Sequence, residues 1–474
     1  MVFSSPIFLF VFLPFTLFGY FIIPNKFRSL YLLLFSLGFF ATTGKKALLL
    51  FVIFIGLNYC FGLAIDYSKK NKKQWFSQLV MVIAITVDIA TLLYFKYSNF
   101  FVTTLNQVAG VNIDFRSSMG LLGISFFTFS ALSHLLDINS GKISANRNIL
   151  DFSLYMSFFP KLLQGPIARF GNIIPQVKER VTTVTDVSAG IQRFIQGLAK
   201  KVIIADELGV VVDQIFAAPA NQTTIAVSWL GAIGYALQIY FDFSGYTDMA
   251  IGIGKMLGFN LPENFNYPYI STSVSDFWRR WHITLSSWFR DYLFIPLEFK
   301  RRRVKTLRSE TNILIVFLLT GLWHGASWNF VIWGLWHGLF ISLEVLFRSL
   351  RIKWKLPYAV RLTSSLLVIL VGWVLFRSSD LTYAAQYLSV MFGFKQFEAV
   401  AGVMGSILTA KFIFIFIIGI LLCLPWKLWA QHFDVGFVMK PHYLVRAIGF
   451  TLLLIYSIIM VLSSSYQPFI YFQF

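Results

Sequence analysis

Residues 47–66 read ALLLFVIFIGLNYCFGLAID, twenty positions in which Asp66 is the single charged side chain. About 20 apolar residues in helical form cross the hydrocarbon layer of a bilayer, and a helix satisfies its own backbone hydrogen bonds there. The run therefore predicts a transmembrane helix. Residues 69–73, KKNKK, follow it and are expected in the cytoplasm, because basic residues concentrate in cytoplasmic loops.

Comparable apolar runs recur along the whole chain of 474 residues, of which 13% are charged, against about 25% in a soluble domain. We predict an all-α, polytopic integral membrane protein in which residues 1–474 form a single membrane domain. About 11–12 transmembrane helices are expected, together with re-entrant or interfacial helices. The predicted spans lie near residues 5–23, 30–43, 47–66, 78–97, 118–137, 150–165, 224–243, 311–326, 328–347, 360–376, 411–426 and 445–463.

The formal net charge of +19 resides mainly in short loops between apolar runs, which indicates membrane topology and a lipid bilayer rather than a nucleic-acid partner. Counting the basic loops predicts a multi-pass protein of the inner, cytoplasmic membrane, with both termini outside. The path of residues 168–310 stays open in this count. Cys60 and Cys423 each lie in an apolar run, so no cysteine-based metal site is expected.

Two histidines, His324 and His337, lie in the apolar string TGLWHGASWNFVIWGLWHG, residues 320–338. An ionisable side chain inside a membrane usually faces a cavity and marks function, although a core histidine is the alternative. Acyl transfer needs a base that takes a proton from an incoming hydroxyl, and imidazole suits this role near neutral pH. We predict a catalytic role for His324, whereas His337 is more readily explained by packing.

A second polar string, DFWRRWHITLSSWFRDYLFIPL, covers residues 276–297. It is either a snorkelling interfacial segment or a cytoplasmic entrance that holds an anionic acyl donor through arginine and aromatic contacts. The candidate donor-binding residues are Arg279, Arg280, Trp281, Ser286 and Arg290.

A third string, YFDFSGYTDMAIGIGKMLGF, covers residues 240–259 and places Asp242, Ser244 and Asp248 among apolar residues. Its glycines lack the spacing and preceding strand of a dinucleotide-binding fingerprint. The carboxylates are expected to be structural partners of the basic entrance. Residues 158–170, FFPKLLQGPIARF, indicate a broken helix that leads into a loop.

Taken together and in order, these strings resemble the bacterial branch of the membrane-bound O-acyltransferases, and within it the alginate O-acetylation type. The resemblance covers nearly the whole chain, and its specificity comes from the order of several strings. Beyond those already quoted, it rests on MVFSSPIFLFVFLP at residues 1–14, SFFTFS at 125–130 and NLPENFNYPY at 260–269.

The resemblance implies that His324 is the catalytic histidine and that His282 holds the second signature position of the family. It further implies a ring of helices around a through-membrane tunnel, which a donor enters from the cytoplasm and an acceptor reaches from outside. Acetyl-CoA is the expected donor, with no permanently bound cofactor. The expected target is a cell-surface polymer such as alginate, another exopolysaccharide or peptidoglycan, reached through an extracellular or periplasmic acetyltransferase partner.

The carboxy-terminal tail, residues 465–474, is expected outside the membrane and is rich in aromatic residues. Tyr and Phe commonly anchor helix ends at the membrane interface. The ending from Phe469 to Phe474 also resembles the Phe-x-Tyr-x-x-Phe ending of a small peptide that acts in teichoic-acid D-alanylation. By that resemblance Tyr471 is a candidate acyl carrier, and an interfacial anchor is the alternative.

Three other functions remain open from the sequence. D-alanyl or other acyl transfer to teichoic acid from a carrier protein would use the same kind of site. A transporter would need no pairing of His282 with His324 and would more often show a repeated half. A non-catalytic membrane scaffold would keep the helices but tolerate the loss of His324.

Overall fold

The computed structural model describes residues 1–115, 121–219, 222–351, 356–395, 408–426 and 443–463, together with Phe469. Throughout these ranges the regular secondary structure is helical, and they contain no β-strand. The chain divides into two compact units, one made of Met1–Phe194 with Met249–Pro262 and the other of Ile195–Asp248 with Glu263–Phe474. The predicted all-α class is confirmed.

The first unit contains two long apolar helices joined by the basic turn at residues 71–73. A buried polar pair links them, because the Asn58 amide donates to the Asp88 carboxylate at 2.9 Å, and such bonds hold helices together within a membrane. Tyr20 donates to the Leu257 carbonyl at 2.8 Å, which attaches the returning segment to the first helix. The helices of this unit are Leu13–Ile22, Arg28–Ala41, Lys45–Lys70, Gln74–Leu92, Ser98–Ala109, Ile124–Ser140, Ile149–Ser157, Phe159–Leu162 and Phe170–Glu179.

Two helices continue from one unit into the other, Val184–Ala199 and Ile225–Met256. The second unit carries the strings with His282, His324 and His337. Its short helices are Asp206–Ala217, Val274–Arg280, Ile283–Phe289, Ile295–Lys300 and Leu381–Met391, and its longer ones are Arg308–His324, Trp328–Ser349, Tyr358–Arg377, Ala410–Leu422 and Tyr443–Ser463.

Among the described residues, five helices are long and apolar enough to cross a membrane, judged by length and composition. Many of their large apolar side chains are exposed, such as Leu452 at 61% on the last helix, which suits contact with lipid. The polytopic membrane character predicted from the sequence is confirmed. The five helices are Lys45–Lys70, Gln74–Ala109, Trp328–Ser349, Tyr358–Arg377 and Tyr443–Ser463.

Two predicted spans differ in informative ways. The predicted span 150–165 is interrupted after Ser157, and the short helix Phe159–Leu162 begins with Pro160 in its first turn, so the broken helix expected there is present. The predicted span 224–243 is the first part of a longer helix, Ile225–Met256. Helix propensity did not predict that the helix continues past Asp242 and Asp248, because the lysines that neutralise these carboxylates lie elsewhere in the chain.

Those ion pairs involve a π-helical segment, Lys200–Ala205. Within the second unit, the Lys201 ammonium lies 2.6 Å from the Asp242 carboxylate and 2.7 Å from Asp206, and all three groups are buried. Lys200 pairs with Asp248 at 2.7 Å. The structure therefore pairs Asp242 and Asp248 with lysines, whereas the sequence suggested partners in the arginine-rich entrance.

Candidate functional site

His324 is the last residue of the helix Arg308–His324, and three residues separate it from the helix Trp328–Ser349. The two helices pack closely because Gly321 and Gly334 face each other across the hairpin. A Cβ at Gly321 would overlap the Phe330 carbonyl, and one at Gly334 would lie 3.1 Å from the Gly321 backbone. These glycines therefore serve backbone packing.

The His324 side chain is 4% exposed and is surrounded by aromatic rings. Trp323 and Trp333 each approach it edge-on with ring centroids 4.8 Å away, and Phe376 does so at 5.3 Å. Such surroundings exclude bulk water, so polar interactions made there are stronger than at the surface. An imidazole in this position can act as a base toward a substrate that enters the same apolar space.

His282 lies at a sharp corner between the helices Val274–Arg280 and Ile283–Phe289. Its side chain has no exposed surface, and its φ of 43° is in the left-handed region, which is uncommon for residues other than glycine. Asn264 holds this corner from a preceding loop. Its side-chain oxygen lies 3.1 Å from His282 Nδ1 and also accepts hydrogen bonds from Thr284.

The His282 ring packs edge-on against Phe243, with ring centroids 4.7 Å apart. On another side its centroid lies 6.0 Å from that of Trp323, the residue adjacent to His324. The indole of Trp323 is therefore in contact range of both histidines.

A cavity of about 450 Å³ lies beside this corner, within the size range of small-molecule sites. Its inner wall is apolar, and its rim carries arginine and serine side chains. The lining residues are Ser275, Trp278, Arg279, Ile283, Leu285, Ser286, Ser287, Phe289, Arg290, Phe294, Ile313, Val316, Phe317, Thr320 and Ile341.

The two rim arginines differ in how strongly they are held. The Arg279 side chain is 72% exposed and lies 3.3 Å from Asp276. Arg290 is 61% exposed and lies 2.7 Å from Asp291, whose hydrogen bond raises the pKa of the Arg290 guanidinium. Both guanidinium groups retain N–H donors that could bind an anionic ligand at the rim.

Two lining residues connect the cavity to His324. Thr320 lines the cavity and lies four residues before His324 on the same helix, a rise of about 6 Å. Trp278 also lines the cavity, its ring lies 5.6 Å from that of Trp333, and Trp333 in turn contacts His324. The cavity lining therefore includes two arginines as well as Thr320, which lies one helical turn from a buried imidazole.

His337 is also fully buried, and aromatic rings surround it. Trp278 and Trp333 approach its ring edge-on at 5.3 and 5.2 Å, and Phe277 lies parallel to it at 6.4 Å. Within the described part of the chain, neither of its ring nitrogens has a hydrogen-bond partner. These contacts agree with the packing role that the sequence favoured.

A family model for "MBOAT, membrane-bound O-acyltransferase family" matches residues 142–384, which include the three histidines and the whole cavity lining. This chain belongs to the membrane-bound O-acyltransferase family. The resemblance seen in the sequence is thereby confirmed, and the protein is an O-acyltransferase.

Three relatives illustrate the range of acceptors within the family. The chain is 41% identical over 400 residues to the "Probable alginate O-acetylase AlgI" of Azotobacter vinelandii, covering 83% of this chain and 78% of the relative. It is 34% identical over 427 residues to the "Peptidoglycan O-acetyltransferase" of Helicobacter pylori, covering 83% and 80%. It is 31% identical over 261 residues to the "Teichoic acid D-alanyltransferase" of Bacillus subtilis, covering 53% and 66%.

The predicted donor-binding residues of this acyltransferase separate into two groups. Arg279, Ser286 and Arg290 line the cavity. Arg280 and Trp281 are not part of this lining. Arg280 donates to the Asn266 carbonyl at 3.3 Å, and Trp281, 1% exposed, stacks on Phe277 at 5.5 Å. Tyr471 lies outside the described residues.

Sequence reasoning missed two residues that shape the site of this acyltransferase. Asn264 is one of three asparagines in the string NLPENFNYPY, and the pattern gave it no role, since asparagine in a loop is most often a turn residue. The sequence did not predict a role for Thr320, because an apolar helix tolerates threonine without a special function. The usable signal for Thr320 was its spacing, four residues before His324, which places both on one helical face.

Proposed function

We propose that this acyltransferase moves an acetyl group from a cytoplasmic donor, acetyl-CoA, toward a polysaccharide outside the cell. The observation that carries the proposal is a cavity lined by Arg279, Arg290 and Thr320, the last of which lies one helical turn from His324. The names of the alginate and peptidoglycan O-acetylating relatives support acetyl as the group transferred.

In this proposal the rim binds the anionic part of the donor and the apolar interior holds its thioester arm. Arg279 and Arg290 supply positive charge and N–H donors, and Ser286 supplies a hydroxyl at the same rim. Guanidinium groups suit phosphate oxygens because they present several donors in a fixed plane. The apolar wall excludes water from the thioester and so limits its hydrolysis.

His324 is the general base of the transfer. It removes the proton from an incoming hydroxyl, whose oxygen attacks the thioester carbonyl carbon and forms the new C–O bond. The C–S bond then breaks, and the thiolate takes the proton from the imidazolium. One positioned base typically contributes about 10²–10⁴-fold in rate.

The orientation follows from the basic loops. Residues 300–303, KRRR, precede the helix Arg308–His324, and the positive-inside rule assigns them to the cytoplasm. His324 then lies toward the outer end of its helix, in the inner membrane, with both termini outside. A donor from the cytoplasm and an acceptor from outside would approach the same imidazole from opposite ends.

The first acceptor is Tyr471 in the carboxy-terminal tail. Phe469, two residues earlier, supports this role because it is fully buried within the unit that contains His324. Its ring lies 4.4 Å from the Lys201 ammonium and contacts Tyr246 edge-on at 5.1 Å. The tyrosine ester would then pass its acetyl group to a polysaccharide hydroxyl through an extracellular transferase, which divides one difficult transfer into two.

The test uses membranes that contain the full chain, labelled acetyl-CoA and no extracellular partner. Label is expected on Tyr471 by mass spectrometry, and none is expected in His324→Ala. Tyr471→Phe should block acetylation of the polymer, whereas the matched control Tyr466→Phe should leave it unchanged. Full polymer acetylation by Tyr471→Phe would exclude the relay, and labelling only from a D-alanyl carrier protein would exclude acetyl-CoA as donor.

A further inference from the structure

The loop residue Asn264 determines which form of the His282 imidazole the site contains. The Asn264 side-chain oxygen lies 3.1 Å from the Thr284 backbone nitrogen and 2.9 Å from the Thr284 hydroxyl. A backbone N–H can only donate, so the Asn264 atom that faces it must be the carbonyl oxygen and not the amide nitrogen. If the amide were flipped, its NH₂ group would face the Thr284 N–H, and two donors would meet without an acceptor.

The same oxygen lies 3.1 Å from His282 Nδ1. Because this oxygen is an acceptor, Nδ1 must carry the hydrogen and donate it. A neutral imidazole with hydrogen on Nδ1 has its lone pair on Nε2. His282 Nε2 is buried and, among the described residues, has no hydrogen-bond partner.

Asn264 also holds the backbone on which His282 lies. Its own carbonyl accepts from the Ile283 N–H at 3.0 Å, so the backbone and side chain of one residue contact three consecutive positions. This clamp maintains the left-handed conformation of His282, whose φ of 43° would otherwise be unfavourable. Ring orientation and tautomer are therefore set together.

We propose that Asn264 is a positioning residue that holds His282 in the Nδ1–H tautomer. His282 then presents a lone pair to the reactants through Nε2, so in its neutral form it acts as a proton or hydrogen-bond acceptor. It is not an N–H donor to the developing oxyanion. This role rests on the proposed acyl transfer and divides the work at the site, with His282 accepting a hydrogen bond while His324 removes the proton.

Two measurements test the proposal, and the first is independent of activity. Full-length protein with ¹⁵N-labelled histidine is reconstituted in lipid, and its solid-state NMR spectrum is compared with that of His282→Gln to assign one of the six histidines. A protonated Nδ1 and a bare Nε2 are expected for His282. The opposite tautomer would overturn the proposal even if acyl transfer itself is established. The expected tautomer would support the proposal even if the acyl donor proves to be different.

The second measurement is a double-mutant cycle on the initial rate of acetyl transfer. Asn264→Leu should lower kcat about 10–100-fold, the usual scale for removing the hydrogen-bond partner that orients a functional histidine, with KM for the donor nearly unchanged. In the His282→Ala background it should have almost no further effect, because both changes remove the same interaction. Equal losses in the two backgrounds would overturn the proposal.

Thr284→Val is the matched control for Asn264→Leu. It removes the hydroxyl donor to Asn264 but leaves the bond between Asn264 and His282, so kcat should fall much less than in Asn264→Leu, because the partner that orients the ring is kept. A loss as large as that of Asn264→Leu would show that the corner matters only as a fold element and would overturn the proposal. If Asn264→Leu does not accumulate, the NMR measurement of the His282 tautomer in the wild-type protein tests the proposal by itself.

Discussion

His282 and His337 are two imidazoles of the same unit, both without exposed surface, and they are held in different ways. His282 is bonded at Nδ1 by an amide oxygen that also accepts from Thr284. His337 is enclosed by Trp278, Trp333 and Phe277 and has no hydrogen-bond partner among the described residues. Equal burial therefore does not imply equal function.

The difference lies in what each arrangement specifies. Ring packing fixes the position of an imidazole but not its tautomer, whereas a hydrogen bond to one nitrogen also determines where the other nitrogen has its lone pair. Chemistry at a proton requires the second kind of control. A buried histidine that is clamped at one nitrogen near a cavity is thus a stronger functional candidate than one that is only enclosed.

The largest effect is expected at His324, the proposed general base, which lies one helical turn after Thr320 of the cavity wall. His324→Ala should lower acetyl transfer by about 10²–10⁴-fold because it removes the general base. The protein should still insert and accumulate, as checked by immunoblot and size-exclusion chromatography in detergent. Near-wild-type transfer would remove His324 from the mechanism.

A smaller loss is expected at His282. His282→Gln keeps a polar side chain but loses the ring, and transfer should fall about 10²-fold, the lower end of the range for one positioned proton-transfer group. Initial rates in reconstituted vesicles measure this loss. A rate within a factor of three of wild type would remove the functional distinction between His282 and His337.

Arg279 tests the rim of the cavity, where the expected effect is on binding. Arg279→Ala should raise KM for the donor about tenfold with kcat nearly unchanged, because an interaction made equally in the ground and transition states changes KM alone. The matched control is Arg361→Ala, which removes another exposed arginine of the same unit away from the cavity. Equal KM values for both variants would exclude the rim as the donor site.

The smallest effect is expected at His337. His337→Leu keeps the side-chain volume nearly unchanged and removes two buried nitrogens without hydrogen-bond partners in the described chain. Transfer should stay within about threefold of wild type, with thermal stability in detergent unchanged or slightly raised, since unsatisfied buried polar atoms are costly. An inactive but well-folded variant would reverse the comparison and make His337 part of the chemistry.

The membrane class and helical fold follow from local properties of the chain. A run such as residues 47–66 is too apolar for water and long enough for a bilayer, and the backbone then has to be helical. The structure places the helix Lys45–Lys70 there. His324 also stood out as a candidate in the sequence alone, because an ionisable residue in apolar surroundings is conspicuous in a one-dimensional pattern.

Other features depended on partners distant in sequence. The helix Ile225–Met256 continues through Asp242 because Lys201, about 40 residues earlier, pairs with that carboxylate. Asn264 meets His282 across 18 positions, and no period or propensity relates the two. Cavity walls likewise come from separate helices, so Arg279 lines the cavity while Arg280, the next residue, donates to the Asn266 carbonyl. Neighbours in sequence can point in different directions, and packing in three dimensions determines which of them reaches the ligand.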